Sequence, residues 1–385
     1  LQLNWKLSIM IIFPRMRGVT SSYRSTVSAA LSVNMWADND DHRDTYLIPV
    51  MMAAAVGGVI TLHGISTTTS TDTDGYNSHV SSADADSFGV GNIAEKTNAV
   101  LNGFKASSIP TPSAVYKGHL TKPGSGVIGD TTRLNMASAT ALKAAVLANG
   151  TPANPFNIIC GGTLTIVADA YLQALTVSGA QAADFLSKIV VWVVGGTMGF
   201  ATGYNEWADG WATEIVYQLC QVRVYSDNNQ PDCPEVLKAR ILTDIPNGYF
   251  QGSLYSRTHP TNGLPGSRDA DGCAFIAAIE PAYVNTWTKY VVNGSVTSDS
   301  HVVPTITTNS SGNIWFTTTV TRSAGTNKWW SLMSNPAIWC DGKLPVYTPV
   351  FSDNFNRANA ANLDGLAGWA VVGSLGRNAI VSNRA

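Results

Sequence analysis

Short apolar segments alternate with segments of helical spacing along most of this chain, and this alternation constrains the fold most strongly. Residues 188–196, KIVVWVVGG, are apolar at every position from Ile189 to Val194. A strand without polar positions is typical of a parallel sheet that is buried on both faces. Further strands are predicted at LSVNMW, VITLHGIST, FNIICGG and VRVYS. The sequence therefore predicts an α/β fold, an open and mostly parallel sheet with helices on both faces.

Six segments have the apolar spacing of helices. They are TYLIPVMMAAA, residues 87–104, residues 137–150 with a glycine stop, TLTIVADAYLQAL, ADGWATEIVYQLC and residues 233–245. Pro49 conflicts with a helix interior because proline lacks an N–H donor. The first helix is therefore predicted to be kinked or to start late.

The C-terminal part of the chain has a different sequence pattern, with strand-like segments and turns in place of alternating strands and helices. After about residue 285, WTKYVVNGSV, SHVVPTITT and NIWFTTTVT are typical of antiparallel strands separated by Asn-Gly and Ser-Gly turns. The segment NKWWSLMSNPAIW is expected to be a short helix or a loop. We predict an N-terminal arm (1–30), an α/β domain (31–346) that is β-rich from about 285, and either the beginning of a further β domain or a linker (347–385).

Composition narrows the function classes. Charged residues make up 13% of the chain and the net charge is −2, whereas a charged share of roughly 25% is usual. The sequence has no basic patch with interleaved aromatic residues, so no nucleic-acid partner is expected. LSIMIIFP is too short for a membrane span. A weakly charged surface rich in Ser, Thr, Asn and Gly is common in extracellular and virion proteins, so we expect one of these locations.

The cysteines do not indicate a disulfide framework or a zinc site. They are Cys160, Cys220, Cys233, Cys273 and Cys340. Their number is odd, their positions are scattered, and no CxxC pair occurs. Cys220 and Cys233 are close enough in sequence to bridge a loop, and the sequence leaves open whether they do.

Aspartates crowd into the stretch WADNDDHRDTYLI, between two apolar runs. They are Asp38, Asp40, Asp41 and Asp44. Carboxylates this close repel one another unless a cation or a positive partner lies among them. The stretch follows a predicted strand, and open parallel sheets bind ligands at the carboxyl ends of their strands. The alternative is a solvated turn whose aspartates cap the following helix.

Two further stretches are expected at the same edge of the sheet. One is CGGTLT, residues 160–165, and the other is SRDADGCAFIAAIEP, residues 267–281, which carries Asp269 and Asp271 before an apolar helix. Carboxylates from separate strand ends and a loop carbonyl form an all-oxygen site for a hard cation, and we predict Ca²⁺. Asp271 has a second interpretation, the N-cap of the following helix.

Together these stretches resemble the inosine/uridine-type nucleoside hydrolases. ADNDDHRDTYLI is similar to the family pattern D-x-D-P-G-x-D-D, with Asp38, Asp40 and Asp44 on its first three aspartates. HGISTTTST resembles the next strand end of that family, and GGTLTIVADAYL resembles its G-P-L-T-N-x-A segment. GYNEWADGWATEIV resembles E-F-N-x-x-x-D-P-x-A-A, and SRDADGCAFIAAIEP resembles the last metal-ligand segment. The segments follow the family order over about residues 31–320.

The resemblance implies a Ca²⁺-dependent N-ribohydrolase or related glycosidase with a nucleoside or sugar ligand. The implied metal ligands are Asp38, Asp40, Gly161 (through its carbonyl) and Asp271. The implied substrate-binding residues are Asp44, Asn205 and Thr71. Asp38 is also the implied catalytic base. Asn205 is equally well interpreted as a turn asparagine.

Several positions depart from the family pattern, among them Asp41-His42 in place of its Pro-Gly, and a second family is also resembled. Thr45 stands on the fourth aspartate, and Gly203 stands where the family has a sugar-binding Glu. FSDNFNRANAANLDGLAGWAVV resembles the opening of concanavalin-like lectin domains, which are joined to phage tail and other extracellular proteins. The rival prediction is therefore a non-catalytic structural or carbohydrate-binding component of a phage virion or extracellular appendage. Such a component would assemble as a homo-oligomer or with other partners.

Overall fold

The fold is a nine-stranded sheet with helices packed on it. The computed structural model describes residues 33–39, 46–69, 115–117, 137–196, 203–207, 209–245, 267–294, 303–338, 369–371 and 380–382. The predicted arm (1–30) and the predicted helix at 87–104 lie outside these residues. Within them, no helix is both long and apolar enough to cross a membrane.

The strands of the main sheet are β1 (Val33–Asp38), β2 (Ile60–Thr69), β3 (Val115–Lys117), β4 (Phe156–Cys160), β5 (Ile189–Val194), β6 (Gln221–Tyr225), β9 (Val284–Val292), β10 (Ile306–Thr308) and β11 (Ile314–Val320). Across the sheet, their order is β10-β9-β11-β6-β5-β4-β1-β2-β3. Neighbouring strands are parallel except at β9, which is antiparallel to both β10 and β11. The predicted open, mostly parallel α/β sheet is confirmed.

Two short strand pairs lie outside the main sheet. β7 (Glu235–Val236) pairs antiparallel with β8 (Ser267–Arg268), and β12 (Trp369–Val371) pairs antiparallel with β13 (Ile380–Ser382). The β12–β13 pair is what the structure describes of the segment 347–385, so the lectin-like domain stays a prediction.

The helices alternate with the strands along the chain. They are α1 (Leu47–Val56), α2 (Ala137–Asn149), α3 (Thr165–Val177), α4 (Gly179–Ser187), α5 (Tyr204–Trp207), α6 (Gly210–Leu219), α7 (Lys238–Asp244), α8 (Gly272–Ile279) and α9 (Arg322–Met333), with 3₁₀ turns at Asp227–Asp232 and Pro336–Ile338. Helix α1 starts late, as one of the two predictions for Pro49 required. Pro49 lies in its first turn, where a backbone N–H has no intrahelical acceptor.

The predicted helix at residues 233–245 is wrong in its first half. Glu235 and Val236 form β7 opposite Arg268 and Ser267, and the helix begins only at Lys238. Strand pairing with a segment about thirty residues away overrides the local helical spacing.

Cys220 and Cys233 are free thiols, so the disulfide that the sequence left open is not formed.

Each face of the sheet carries a hydrophobic core. Along β1, Met35 and Ala37 contribute to the core that contains α1, α8 and α9, whereas Trp36 contributes to the core that contains α2, α3 and α6. The apolar run of β5 divides in the same way, with Val191 and Val193 in the second core. Burying each large apolar side chain contributes about 1.5–3 kcal/mol, so both helical layers are fixed to the sheet that carries the candidate site.

Candidate functional site

The carboxyl ends of β1 and β4 meet directly. Asp38 ends β1 and pairs in register with Cys160, the last residue of β4. The N–H of Gly161 donates a hydrogen bond to the carbonyl oxygen of Asp38 at 2.8 Å. The acidic stretch and the CGG stretch therefore begin side by side, at the edge of the sheet where the sequence predicts a ligand.

Gly161 is the point of closest approach in this region. A Cβ atom on Gly161 would lie 2.6 Å from Oδ1 of Asn39 and 2.8 Å from Cβ of Asp271. Real Cβ atoms do not come this close to their neighbours, so only glycine fits here without a shift. The absence of a side chain thus brings Asp271 and Asn39 against the end of β4. Asp271 is 8% exposed and Asn39 is fully buried.

Asn205 joins the same point from α5. Its Nδ2 donates to the carbonyl of Gly161 at 3.2 Å and to the carbonyl of Val194 at 3.0 Å. The side chain is 7% exposed. Asn205 therefore bridges the ends of β4 and β5, and it lies in the short helix α5 rather than in a turn.

The Asp38 carboxylate is held by a short chain of hydrogen bonds. Oγ of Ser66 donates to Oδ1 of Asp38 at 2.6 Å, and Nε1 of Trp36 donates to the same Oγ at 2.8 Å. All three side chains are buried. Burial first, and then the Asp38 charge, raise the pKa of the neighbouring Cys160 thiol well above its usual range. The chain of hydrogen bonds fixes the orientation of the carboxylate.

Asp269 and Asp271 have different roles, helix capping and a position beside Gly161, which the sequence alone did not distinguish. Asp269 caps α8, because its Oδ1 accepts from the N–H of Gly272 at 2.8 Å. Asp271 occupies the N-cap position but makes no capping hydrogen bond with its side chain. The predicted N-cap position of Asp271 is therefore confirmed, but the side chain does not form the cap. Its carboxyl group instead lies beside Gly161.

Asp269 also joins α8 to two other helices. Its Oδ1 accepts from the N–H of Tyr46, just before α1, at 3.0 Å, and its Oδ2 accepts from Nε1 of Trp329 in α9 at 2.9 Å. Asp269 is fully buried. Asp269 lies in the predicted ligand loop, but these contacts give it a structural role behind the site.

Glu206 is a buried carboxylate that was not among the residues predicted from the sequence. It is fully buried and accepts from the hydroxyl of Tyr217 at 2.9 Å. A Cβ atom at Gly195 or Gly203 would collide with its Oε2, and Gly195 has φ of 144°. In the sequence, the glycines at 195 and 203 indicate this arrangement, because two residues without side chains leave room for the large side chain between them. Glu206 thus fills space beside Gly203, where the resemblance implied a sugar-binding Glu.

The structure brings Asp38, Gly161, Asn205 and Asp271 together. Asp40, Asp44 and Thr71 lie outside the described residues, so their predicted roles stay predictions. Among the residues that the structure describes, no group of three or more His, Cys, Asp or Glu side chains is arranged to hold a metal ion. The groups that approach Gly161 are the Asp271 side chain, the amides of Asn39 and Asn205, and the backbone carbonyl of Asp38. Oxygen donors of this kind fit Ca²⁺ rather than a softer metal.

Comparison with known proteins identifies the fold. No family model and no curated protein matches the chain. The solved structure of an inosine-guanosine nucleoside hydrolase matches with a TM-score of 0.52 and 16% identity over 79% of this chain and 99% of that one. An inosine-uridine preferring nucleoside hydrolase from Bacillus anthracis matches with a TM-score of 0.52 and 12% identity over 78% of this chain and 99% of that one. The chain therefore has the nucleoside hydrolase fold.

Proposed function

We propose that this protein is a Ca²⁺-dependent N-glycosidase acting on a ribosyl substrate at the carboxyl edge of β1 and β4. The observation that carries the proposal is the approach of three groups to Gly161, namely the Asp271 side chain, the Asn205 amide and the backbone carbonyl of Asp38. Asp38, Gly161 and Asp271 come from three distant parts of the sequence, and the fold brings them together. The fold of the two nucleoside hydrolases supports the same substrate class.

The residues at this edge suit the binding of a hard cation and a sugar. Asp38, Asp271 and the carbonyl of Gly161 would hold Ca²⁺, with Asp40 as the fourth predicted ligand. Bound Ca²⁺ supplies positive charge that offsets the carboxylate repulsion and makes a bound water more acidic. Both described carboxylates lie in buried surroundings, where such a charge acts over a lower effective dielectric than in water.

Asp38 is the residue that we assign to proton transfer. Its carboxylate receives a proton from the water that attacks the anomeric carbon, as the N-glycosidic bond to the leaving base breaks. Ser66 holds this carboxylate in one orientation through its 2.6 Å hydrogen bond. Asn205 keeps the ends of β4 and β5 together, and we assign its side chain to the binding of a sugar hydroxyl.

A second candidate is a non-catalytic structural or carbohydrate-binding protein of a virion or extracellular appendage. The observation that favours it is that polar groups of the site already satisfy one another. Ser66 occupies one oxygen of Asp38, and Nδ2 of Asn205 contacts two backbone carbonyls, including that of Gly161. A cation or a sugar can bind only after the hydrogen bonds of Ser66 to Asp38 and of Asn205 to the backbone carbonyls have rearranged.

Calorimetric titration of the full chain with calcium, with and without ribose, distinguishes the two candidates. For the hydrolase we expect calcium binding that ribose strengthens, followed by hydrolysis of inosine or uridine. Asp38→Asn and Asp271→Asn should each weaken calcium binding at least tenfold, and Asp38→Asn should reduce hydrolysis at least a hundredfold. Asp184→Asn is the matched control, because this aspartate lies on the surface, paired with Lys188. No binding at millimolar calcium contradicts the hydrolase and leaves the second candidate.

A further inference from the structure

Four side chains form a row across the face of the sheet that carries Ile159. Trp192 of β5 is opposite Arg223 of β6, Arg223 is opposite Trp315 of β11, and Trp315 is opposite Lys289 of β9. Residues directly opposite one another on neighbouring strands point to the same face of a sheet. We call these four residues, Trp192, Arg223, Trp315 and Lys289, the Trp–Arg row. All four are partly exposed.

The two cations of the row both lie over Trp315. The guanidinium carbon of Arg223 is 3.8 Å from the centre of the Trp315 ring, and Nζ of Lys289 is 4.1 Å from it. Such cation–π contacts contribute about 0.5–1 kcal/mol at exposed sites and more where the cation is desolvated. The geometry therefore holds both positive charges against one indole.

Trp287 extends the row along β9. Its ring meets Trp192 at 6.1 Å with an interplanar angle of 69°, and it meets Trp315 at 6.4 Å with an angle of 71°. Three indoles thus form a bent aromatic surface beside the two cations. Asn157 fixes the far end, because Nε1 of Trp192 donates to its Oδ1 at 2.8 Å.

Within the described part of the chain, the positive charges of the row have no acidic partner. The ion pairs there join Lys188 to Asp184, Arg240 to Asp244, Arg322 to Glu235 and Lys328 to Glu280. The hydrogen bond of the Arg223 guanidinium is a long one, 3.4 Å from Nη1 to the carbonyl of Val222. Nε1 of Trp315 is buried and has no acceptor. Burial lowers the pKa of Arg223 to about 10, which is the effect of a desolvated cation without a counter-charge.

The row is separate from the candidate hydrolase site. Val194 follows Trp192 by two residues on β5 and ends that strand at the candidate site, where its carbonyl accepts from Asn205. Two residues of a strand span roughly 7 Å. The buried side chains of Val194 and Tyr225 lie between the row and that edge. A ligand on the row would therefore not occupy the position of the proposed ribosyl substrate.

We propose that the Trp–Arg row binds an acidic saccharide, a pyranose ring that carries a carboxylate. A guanidinium pairs with a carboxylate through two parallel hydrogen bonds, and indole rings present apolar surface to the C–H face of a sugar. A nucleic acid fits less well, because it offers a run of phosphates and the row has two cations. Rings at about 70° to one another also provide no parallel platforms for successive bases.

Tryptophan fluorescence of the full chain tests this proposal, with trigalacturonate as the probe. We expect saturable quenching by trigalacturonate and none by the neutral galactose trisaccharide at the same concentration. Arg223→Gln should weaken the apparent affinity at least tenfold, and Lys289→Gln about threefold or more. Lys143→Gln, a cation on α2 away from the row, should leave it unchanged.

Several results would overturn the proposal. They are no quenching by trigalacturonate at millimolar concentration, equal quenching by the neutral trisaccharide, or an unchanged affinity in the Lys289→Gln variant. Tighter binding of a single-stranded oligonucleotide of equal charge would assign the row to nucleic acid instead. If Arg223→Gln lowers the melting temperature, its loss of affinity could reflect misfolding. The Lys289→Gln variant then decides the test, because Lys289 lies at the edge of the row. Both variants should bind calcium like the unmodified chain, so a failure here leaves the proposed hydrolase function untouched.

Discussion

The carboxylate of Asp269 accepts a hydrogen bond from the backbone N–H of Tyr46, 223 residues earlier in the chain, at 3.0 Å. The same oxygen accepts from Gly272 and the other from Trp329, so one side chain satisfies three buried donors. Replacement by alanine should lower the free energy of unfolding by at least about 3 kcal/mol, because each unsatisfied buried donor costs about 1–3 kcal/mol. Urea denaturation measures the loss.

Asp271→Ala is the matched control for Asp269→Ala. It removes a carboxylate two residues away that makes no capping hydrogen bond to α8. We expect a smaller loss of stability and a larger loss of calcium affinity than in Asp269→Ala. Equal destabilisation by the two substitutions would contradict the division of tasks between these aspartates.

Gly161→Ala should damage the site more than the fold. The added methyl group would lie 2.6 Å from Oδ1 of Asn39 and 2.8 Å from Cβ of Asp271, and overpacking of this kind typically costs about 1–3 kcal/mol. The displaced carboxylate should weaken calcium binding at least tenfold in calorimetry. Gly179→Ala is the control, since nothing lies within 4 Å of its added methyl group, and its stability should stay the same or rise slightly. Equal calcium affinity in both variants would remove Asp271 from the site.

The four described cysteines should be unreactive in the native protein. Cys160, Cys220, Cys233 and Cys273 are free and buried, and burial raises the pKa of Cys220 to about 12. The thiolate is the reactive form. In a Cys340→Ser variant, a thiol reagent at pH 8 should therefore label no cysteine before unfolding and four afterwards without reductant. Labelling of only two after unfolding would indicate a disulfide.

His63 should make stability depend on pH on the acid side of neutrality. Burial lowers the pKa of its imidazole below the ordinary value of 6.5, and its Nε2 lies 2.9 Å from Oδ1 of Asn34. The unfolded chain then binds the proton more readily than the folded chain, so this contribution to stability is lost as the pH falls through 6.5 toward the lower folded value. His63→Gln should reduce the fall in the urea midpoint between pH 7.5 and pH 5.5. An identical fall in both proteins would show that other groups cause it.

The strands that carry the site were predictable because their signal is local. The apolar runs that predict β4 and β5 need no partner to be recognised. Asp38 and Gly161, each at the end of a predicted strand, lie side by side. The pairing of β7 with β8 was not predictable, because Glu235 and Val236 lie in a segment of helical spacing and meet their partners only in the folded chain.

Residue roles within the site were harder to predict than its location. Asp269 and Asp271 are the same residue type two positions apart, and only the approach of Tyr46 and Trp329 makes the first a structural residue. The Trp–Arg row shows the same limit, since it depends on β6 and β11 being neighbours although about ninety residues separate them. Strand order across a sheet is not encoded in any short stretch.

The distances in sequence between Asp38, Gly161 and Asp271 have a kinetic consequence. More than one hundred residues separate each from the next, and contacts over such separations are slow to form because chain entropy opposes loop closure. The calcium site would then be completed only when β1, β4 and α8 have come together. Calcium added during refolding should therefore leave the early phases unchanged and slow the unfolding of the finished protein, which makes the ion a reporter of the last step of folding.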